Sequence, residues 1–220
     1  MKLNIIITGV TGMVGEGVLH ETLLDSRVES ILVISRKTCG ITHPKLKEII
    51  HSNFMDITTI ENRLFPFDAC FFCLGVSSIG KNEEEYSKLT YNLTTNFAQT
   101  LAKVNPQMTF CYVSGAGTDS SEKGKSMWAR VKGKTENYIF SLPFKQVFAF
   151  RPAYIKPTKG LKNTLKFYIG SSFIYPILKL IIPNYVSTLK DIGIAMINCS
   201  IYGFDKSILD VKDINQVAKI

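Results

Sequence analysis

Apolar positions along this chain fall into two alternating rhythms. Short continuous runs, rich in β-branched residues and bounded by turn formers, read as strands buried on both faces. They cover residues 3–7, 29–35, 46–50, 67–74, 107–113 and 146–150. Between them, apolar residues recur every three or four positions, the rhythm of a helix with one buried face. Val14, Val18, Leu19 and Leu23 follow the first strand in this way. Tyr86, Leu89, Leu93, Phe97, Leu101 and Val104 trace one face over residues 83–104, which Asn105-Pro106 ends. A short helix near Ile57, capped by Asp56, and a helix over 126–140 complete the alternation. Strand and helix in turn imply right-handed crossovers and a parallel sheet with helices on both faces, a doubly wound α/β (Rossmann) fold.

From Thr158 the pattern changes. Residues 167–182 are apolar and aromatic, but Gly170, Pro176 and Lys179 interrupt them. That is too short and too broken to span a membrane. Two readings stay open, helices covering a substrate pocket or an interfacial helix. Residues 186–201 read as helix, 207–211 as a last short strand and 213–219 as a terminal helix. The expectation is one domain over 1–220, with about 155–205 forming a small C-terminal cap on the substrate side.

The stretch between the first strand and first helix carries the chemistry. Gly9, Gly12 and Gly15 punctuate Thr8-Gly9-Val10-Thr11-Gly12-Met13-Val14-Gly15. Glycine there permits a tight turn, close approach of a phosphate to the backbone, and hard packing of helix on strand. The helix N-terminus adds unpaired N–H groups and a positive dipole end. A dinucleotide pyrophosphate is the expected occupant, although the spacing G-x-x-G-x-x-G departs from G-x-G-x-x-G. Arg36 and Lys37 follow the second strand, where an adenosine ribose would lie. An acidic residue there would bind a free 2′-hydroxyl, whereas arginine suits a 2′-phosphate. The expected cofactor is NADP rather than NAD; a merely solvated pair is the competing reading. Gly75, after the fourth strand, would let the backbone approach the cofactor.

Composition changes this picture little. With 220 residues, 45% hydrophobic and 20% charged, the chain has the make-up of an ordinary globular domain. Its formal net charge of +8 is dispersed and favours anionic small molecules. No basic motif with interleaved aromatics points to specific nucleic-acid binding. The chain enters a strand at once, so no signal peptide is expected. Five cysteines at irregular spacing suit reduced thiols and a cytoplasmic location. Cys70 and Cys73 form a C-x-x-C within an apolar strand and lack a second pair, so they read as buried thiols, and no metal is expected. A homodimer is left open.

Taken together, the glycine stretch, Arg36, Ser114 after the fifth strand, Lys132, and Arg151-Pro152-Ala153-Tyr154 resemble the short-chain dehydrogenase/reductase superfamily. Within it the likeness is to the atypical, extended-like NAD(P)H-binding group, which includes the HIV Tat-interacting protein. It covers residues 1–154 well and the remainder loosely. The resemblance implies cofactor contacts from Thr8, Gly9, Thr11, Gly12, Met13, Val14, Gly15, Arg36, Lys37, Asp56, Leu74, Gly75, Val76, Lys132, Arg151, Pro152 and Tyr154. It also implies a catalytic Ser114 and Lys132. The family's proton-donating tyrosine, four residues before the lysine, is here Trp128, whose indole N–H is only a donor. Three uses of the fold follow: an NADP-dependent oxidoreductase acting slowly without the tyrosine, an NADP-binding regulator or sensor, or an epimerase or dehydratase. The last usually keeps the tyrosine and carries a larger C-terminal domain.

Overall fold

Seven strands line up in one parallel sheet. They are β1 (Leu3–Thr8), β2 (Val28–Ser35), β3 (Leu46–Ile50), β4 (Ala69–Phe72), β5 (Thr109–Val113), β6 (Gln146–Arg151) and, last in the chain, β9 (Ile208–Asp210), in the order β3-β2-β1-β4-β5-β6-β9. The central ones, β1, β4 and β5, are apolar on both faces, and the edge strands β3 and β9 are only partly buried. This computed structural model describes residues 2–164 and 174–220. The helices are α1 (Met13–Leu24), α2 (Glu83–Ser87), α3 (Leu93–Val104), α4 (Met127–Phe140), α5 (Tyr175–Ile181), α6 (Leu189–Tyr202) and α7 (Val211–Val217).

Alternate side chains face opposite ways along a strand, and the core divides accordingly. Ile5, Ile7, Phe71, Cys111, Phe148 and Phe150 pack on one face with residues of α1 and α6. Ile6, Cys70, Phe72, Phe110 and Tyr112 pack on the other with Phe97, Ala98 and Leu101 of α3. On the first face the helices meet closely, since a Cβ on Gly17 would stand 2.8 Å from Leu189 and one on Gly193 would stand 2.8 Å from Glu21.

Thr8 pairs with Ile34 on one side and Phe72 on the other, so β1 and β4 end level. Here the strand order reverses, and the loops after β1 and β4 rise side by side. In open parallel sheets this crevice is where ligands bind.

Three expectations need correction. The helix over 83–104 is broken by a π-helical turn, Lys88–Asn92. Its extra residue rotates the face, so Thr90 is 5% exposed while Leu89 is 38% exposed. Residues 186–201 are not one helix. Val186–Thr188 forms strand β8, parallel to β7 (Tyr154–Lys156), before Thr188 and Asp191 make the reciprocal cap that starts α6. The fourth strand is shorter than residues 67–74, because the chain turns away at the cleft beyond Phe72. Residues 167–173 of the apolar stretch lie outside the described residues.

Candidate functional site

β1 ends at Thr8, and the chain turns through Gly9 at φ +74°. A Cβ on Gly9 would sit 2.5 Å from the carbonyl carbon of Cys73, so the turn lies hard against the end of β4. Left-handed backbone and close approach together leave room only for glycine. The Gly12 N–H donates to the Gly9 carbonyl at 3.0 Å, and a Cβ on Gly15 would lie 2.2 Å from that same oxygen. Helix α1 therefore begins directly on the loop. Its cap residue, Gly12, supplies no side-chain acceptor, which leaves first-turn N–H groups for an anion.

Beside this loop opens a cleft of about 340 Å³, within the range of small-molecule sites. Gly9, Thr11, Gly12, Arg36, Leu74, Gly75 and Val76 line it, all anticipated from the sequence. Ser52, Asn53, Phe54, Met55, Cys73, Leu89 and Leu93 line it as well and were not anticipated. Leu89 is turned there by the π-helical turn, which no local periodicity reveals. Met13 and Val14 are half-buried in the first turn of α1, and Gly15 is buried. Thr8 is wholly buried, and its Oγ1 has no partner among the described residues. Lys37 is exposed beside Arg36. Asp56, expected as a cofactor contact, is exposed and does not line the cleft; its Oδ1 accepts from the Thr58 hydroxyl at 2.6 Å and the Thr58 N–H at 2.9 Å. The hydroxyl bond, then the N–H bond, hold its carboxyl below the usual range. Burial pushes the Cys70 and Cys73 thiols up, which favours their protonated form.

A second cluster forms where α4 presses on the loop after β5. A Cβ on Gly133 would lie 1.8 Å from the Asp119 carbonyl. That contact sets Lys132 against the strand end, where its Nζ donates to the Ser114 carbonyl at 3.2 Å and sits 5.5 Å from the Tyr112 ring centroid. Burial lowers the Lys132 pKa to about 8, with the Glu136 charge opposing the shift. Lys132 and Glu136 do not form the solvated pair their spacing allows. Glu136 is instead fully buried against Arg151, accepting from its Nε at 3.0 Å and from Nη2. Arg151 Nη2 also donates to Ser120 Oγ at 2.6 Å. Its guanidinium is thus engaged away from the cleft.

Ser114 is 7% exposed, with its Oγ 3.0 Å from Thr118 Oγ1. Thr118 donates its one hydroxyl proton to the Gly115 carbonyl at 2.8 Å, so Ser114 is the donor between the two hydroxyls. Trp128 covers this loop: a Cβ on Gly117, at φ +85°, would lie 3.4 Å from the indole. Pro152 is buried, and its carbonyl accepts from the Ala116 N–H at 2.9 Å. Tyr154 follows in β7, half-buried. Glu16, buried on α1, accepts from the N–H groups of Lys162 at 2.8 Å and Asn163 at 2.7 Å. It fastens the segment after β7 to the helix that begins at the glycine loop.

Comparison with known proteins agrees with this geometry. The sequence model of the NAD dependent epimerase/dehydratase family matches residues 5–127. Among curated relatives, Protein FMP52, mitochondrial, of Chaetomium globosum is 25% identical over 161 residues, 70% of this chain and 66% of that protein. The match therefore spans just under two thirds of that relative's length. The protein of the same name from Candida glabrata is 24% identical over 217 residues, covering 94% of this chain and 88% of the relative. Among solved structures, the UDP-N-acetylglucosamine 4-epimerase of Methanobrevibacter ruminantium has a TM-score of 0.68 at 16% identity, covering 98% of this chain and 81% of that one. WbmF of Bordetella bronchiseptica, solved in complex with NAD+, has a TM-score of 0.67 at 13% identity, covering 99% and 77%. At these identities the likeness is one of fold. The cytoplasmic location expected from the cysteines is corrected by the relatives, which are named as mitochondrial proteins.

Proposed function

The chain belongs to the NAD dependent epimerase/dehydratase family, and on that premise we propose that it binds NADP and acts as an oxidoreductase on a small, apolar carbonyl compound. The observation that carries this reading is the cleft itself, in which a loop with no room for a Cβ at Gly9 or Gly15 and a single arginine stand at one cavity. Such a cradle fits a pyrophosphate. The structural neighbour WbmF was solved with NAD+, which supports a nicotinamide cofactor. The preference for NADP rests on Arg36. The loop from Gly9 to Gly15 would hold the pyrophosphate, Arg36 the 2′-phosphate, and Lys132 the nicotinamide ribose. The cofactor, when bound, supplies two-electron redox chemistry.

Protons are the province of the chain's own residues. Trp128 cannot exchange one usefully near neutral pH, and Ser114 directs its proton to Thr118. Lys132, with a pKa of about 8, is the group able to hold and release a proton near the loop, through water. Acid–base assistance is typically worth about 10²–10⁴-fold, so turnover without the tyrosine is expected to be slow. NADPH oxidation against a panel of carbonyl compounds tests this. A rate that survives Lys132→Ala unchanged removes Lys132 from the site.

Two further outcomes follow. Arg36→Ala is expected to weaken NADP about 10–100-fold, as the loss of a charge-assisted hydrogen bond would, and to leave NAD nearly unchanged. Calorimetric titration with both nucleotides checks it, and equal weakening refutes the phosphate contact. Lys132 also predicts a pH effect. Between about pH 8 and its ordinary 10.5, the folded protein has released a proton that the unfolded chain still holds. Stability from this group therefore rises with pH across that window. Denaturant titrations at about pH 7 and about pH 10 should show the rise in the parent and its loss in Lys132→Met.

A second reading is favoured by Trp128 alone: an NADP-binding regulator or sensor without turnover. Tight nucleotide binding with no turnover on the whole panel would favour it.

A further inference from the structure

Helix α5 and the turn after it expose Ile177 (59%), Leu180 (84%), Ile181 (69%), Ile182 (40%) and Tyr185 (61%). No other stretch of nine described residues exposes as many large apolar side chains. Contiguous apolar surface of this kind marks an interaction site. The helix is seated firmly, because Tyr175 at its start is 7% exposed and lies under Lys156 Nζ at 4.5 Å and Lys179 Nζ at 5.7 Å. Beside it runs a groove of about 490 Å³, lined by Lys179, Lys212 and Lys219 among others. Lys190 is also exposed, next to the cap of α6. None of these four lysines pairs with a carboxylate among the described residues. The carboxylate in the groove, Asp191, is held by the Thr188 hydroxyl at 2.8 Å and N–H at 3.0 Å.

We propose that this face docks peripherally on an anionic phospholipid surface. Ile177, Leu180 and Ile181 enter the interface, and Lys179, Lys212 and Lys219 meet lipid phosphates. The composition selects lipid over a protein partner. Lysine is depleted at protein–protein interfaces, whereas apolar side chains rimmed by lysine and tyrosine are what an anionic bilayer surface takes. Long lysine stems keep their charge at the phosphates while their methylenes follow the apolar side chains inward. No described helix is long and apolar enough to cross a membrane, so the contact is with the surface.

The experiment is co-sedimentation of the full chain with vesicles of phosphatidylglycerol and phosphatidylcholine, against phosphatidylcholine alone, at low and high salt. Binding to the anionic vesicles only, weakened by salt, is expected. Leu180→Ser/Ile181→Ser should reduce it at least about tenfold, since both side chains are lost from the interface. Lys212→Glu/Lys219→Glu should reduce it at least about tenfold through charge. Unchanged melting temperatures and NADP affinity would show that the fold and nucleotide cleft are intact, so this outcome is independent of the proposed activity. Equal sedimentation of parent and Leu180→Ser/Ile181→Ser, or no binding to the anionic vesicles, overturns the proposal. So does a parent that ignores vesicles and sediments as a dimer that the apolar substitutions dissociate.

Discussion

Gly9→Ala is expected to destabilise the protein by about 3 kcal/mol and to abolish nucleotide binding. Two costs combine. A non-glycine residue at φ +74° gives up roughly 1–2 kcal/mol. Forcing a methyl into backbone 2.5 Å away costs roughly 1–3 kcal/mol more. The neighbour is the Cys73 carbonyl at the end of β4, which cannot swing aside as a flexible side chain would. In a chain of this size the sum lowers the melting midpoint by roughly 6–12 °C. Gly12→Ala is the control: its Cβ would meet only the Gly9 carbonyl, at 3.4 Å, and the residue faces the cleft. It should melt close to the parent yet bind nucleotide less well. Thermal unfolding with native mass spectrometry for a retained nucleotide reads both. Should Gly9→Ala behave like the parent, the loop is looser than described and the cleft loses its claim to a pyrophosphate.

Arg151→Met carries the second large effect, about 3–5 kcal/mol of lost stability. Glu136 has no exposed surface, and Arg151 supplies two hydrogen bonds to its carboxylate. Removing one partner of a buried pair leaves the other charge uncompensated, which costs far more than the pair contributes when intact. Replacing both groups with apolar side chains, Glu136→Leu/Arg151→Met, should restore most of the loss. A urea-unfolding double-mutant cycle measures the coupling. If Arg151→Met unfolds at the parent's midpoint, the pair is not the brace between α4 and β6 that the geometry indicates. The same cycle bears on Arg151 as a cofactor residue, because its guanidinium would have to leave Glu136 and Ser120 to reach a ligand.

Much of this protein was legible in its local patterns. Ile5, Ile6 and Ile7 announce a strand buried on both faces, and the recurrence from Val14 to Leu23 announces the helix after it, because each signal depends only on neighbours along the chain. The glycines at 9, 12 and 15 were readable for the same reason, since backbone freedom is a property of the residue. Leu89 shows where such reading stops. Its spacing places it on the buried face, but a single extra residue in the π-helical turn rotates it into the cleft. Val186 to Thr188 were drawn into a helix because their strand exists only by pairing with Tyr154 to Lys156, some thirty residues away.

The sequence alone determined the alternation of strands and helices up to β6, the position of the glycine loop and the arginine after the second strand. Those follow from side-chain chemistry and short-range periodicity, whereas the reading of Trp128 in the place of a tyrosine rests on the family resemblance. Tertiary structure alone decided that Glu136 pairs with Arg151 rather than Lys132, that the Ser114 and Thr118 hydroxyls pair, and that burial lowers the Lys132 pKa to about 8. Each of these depends on which groups packing shuts away from water together, and that is a property of the assembled layers.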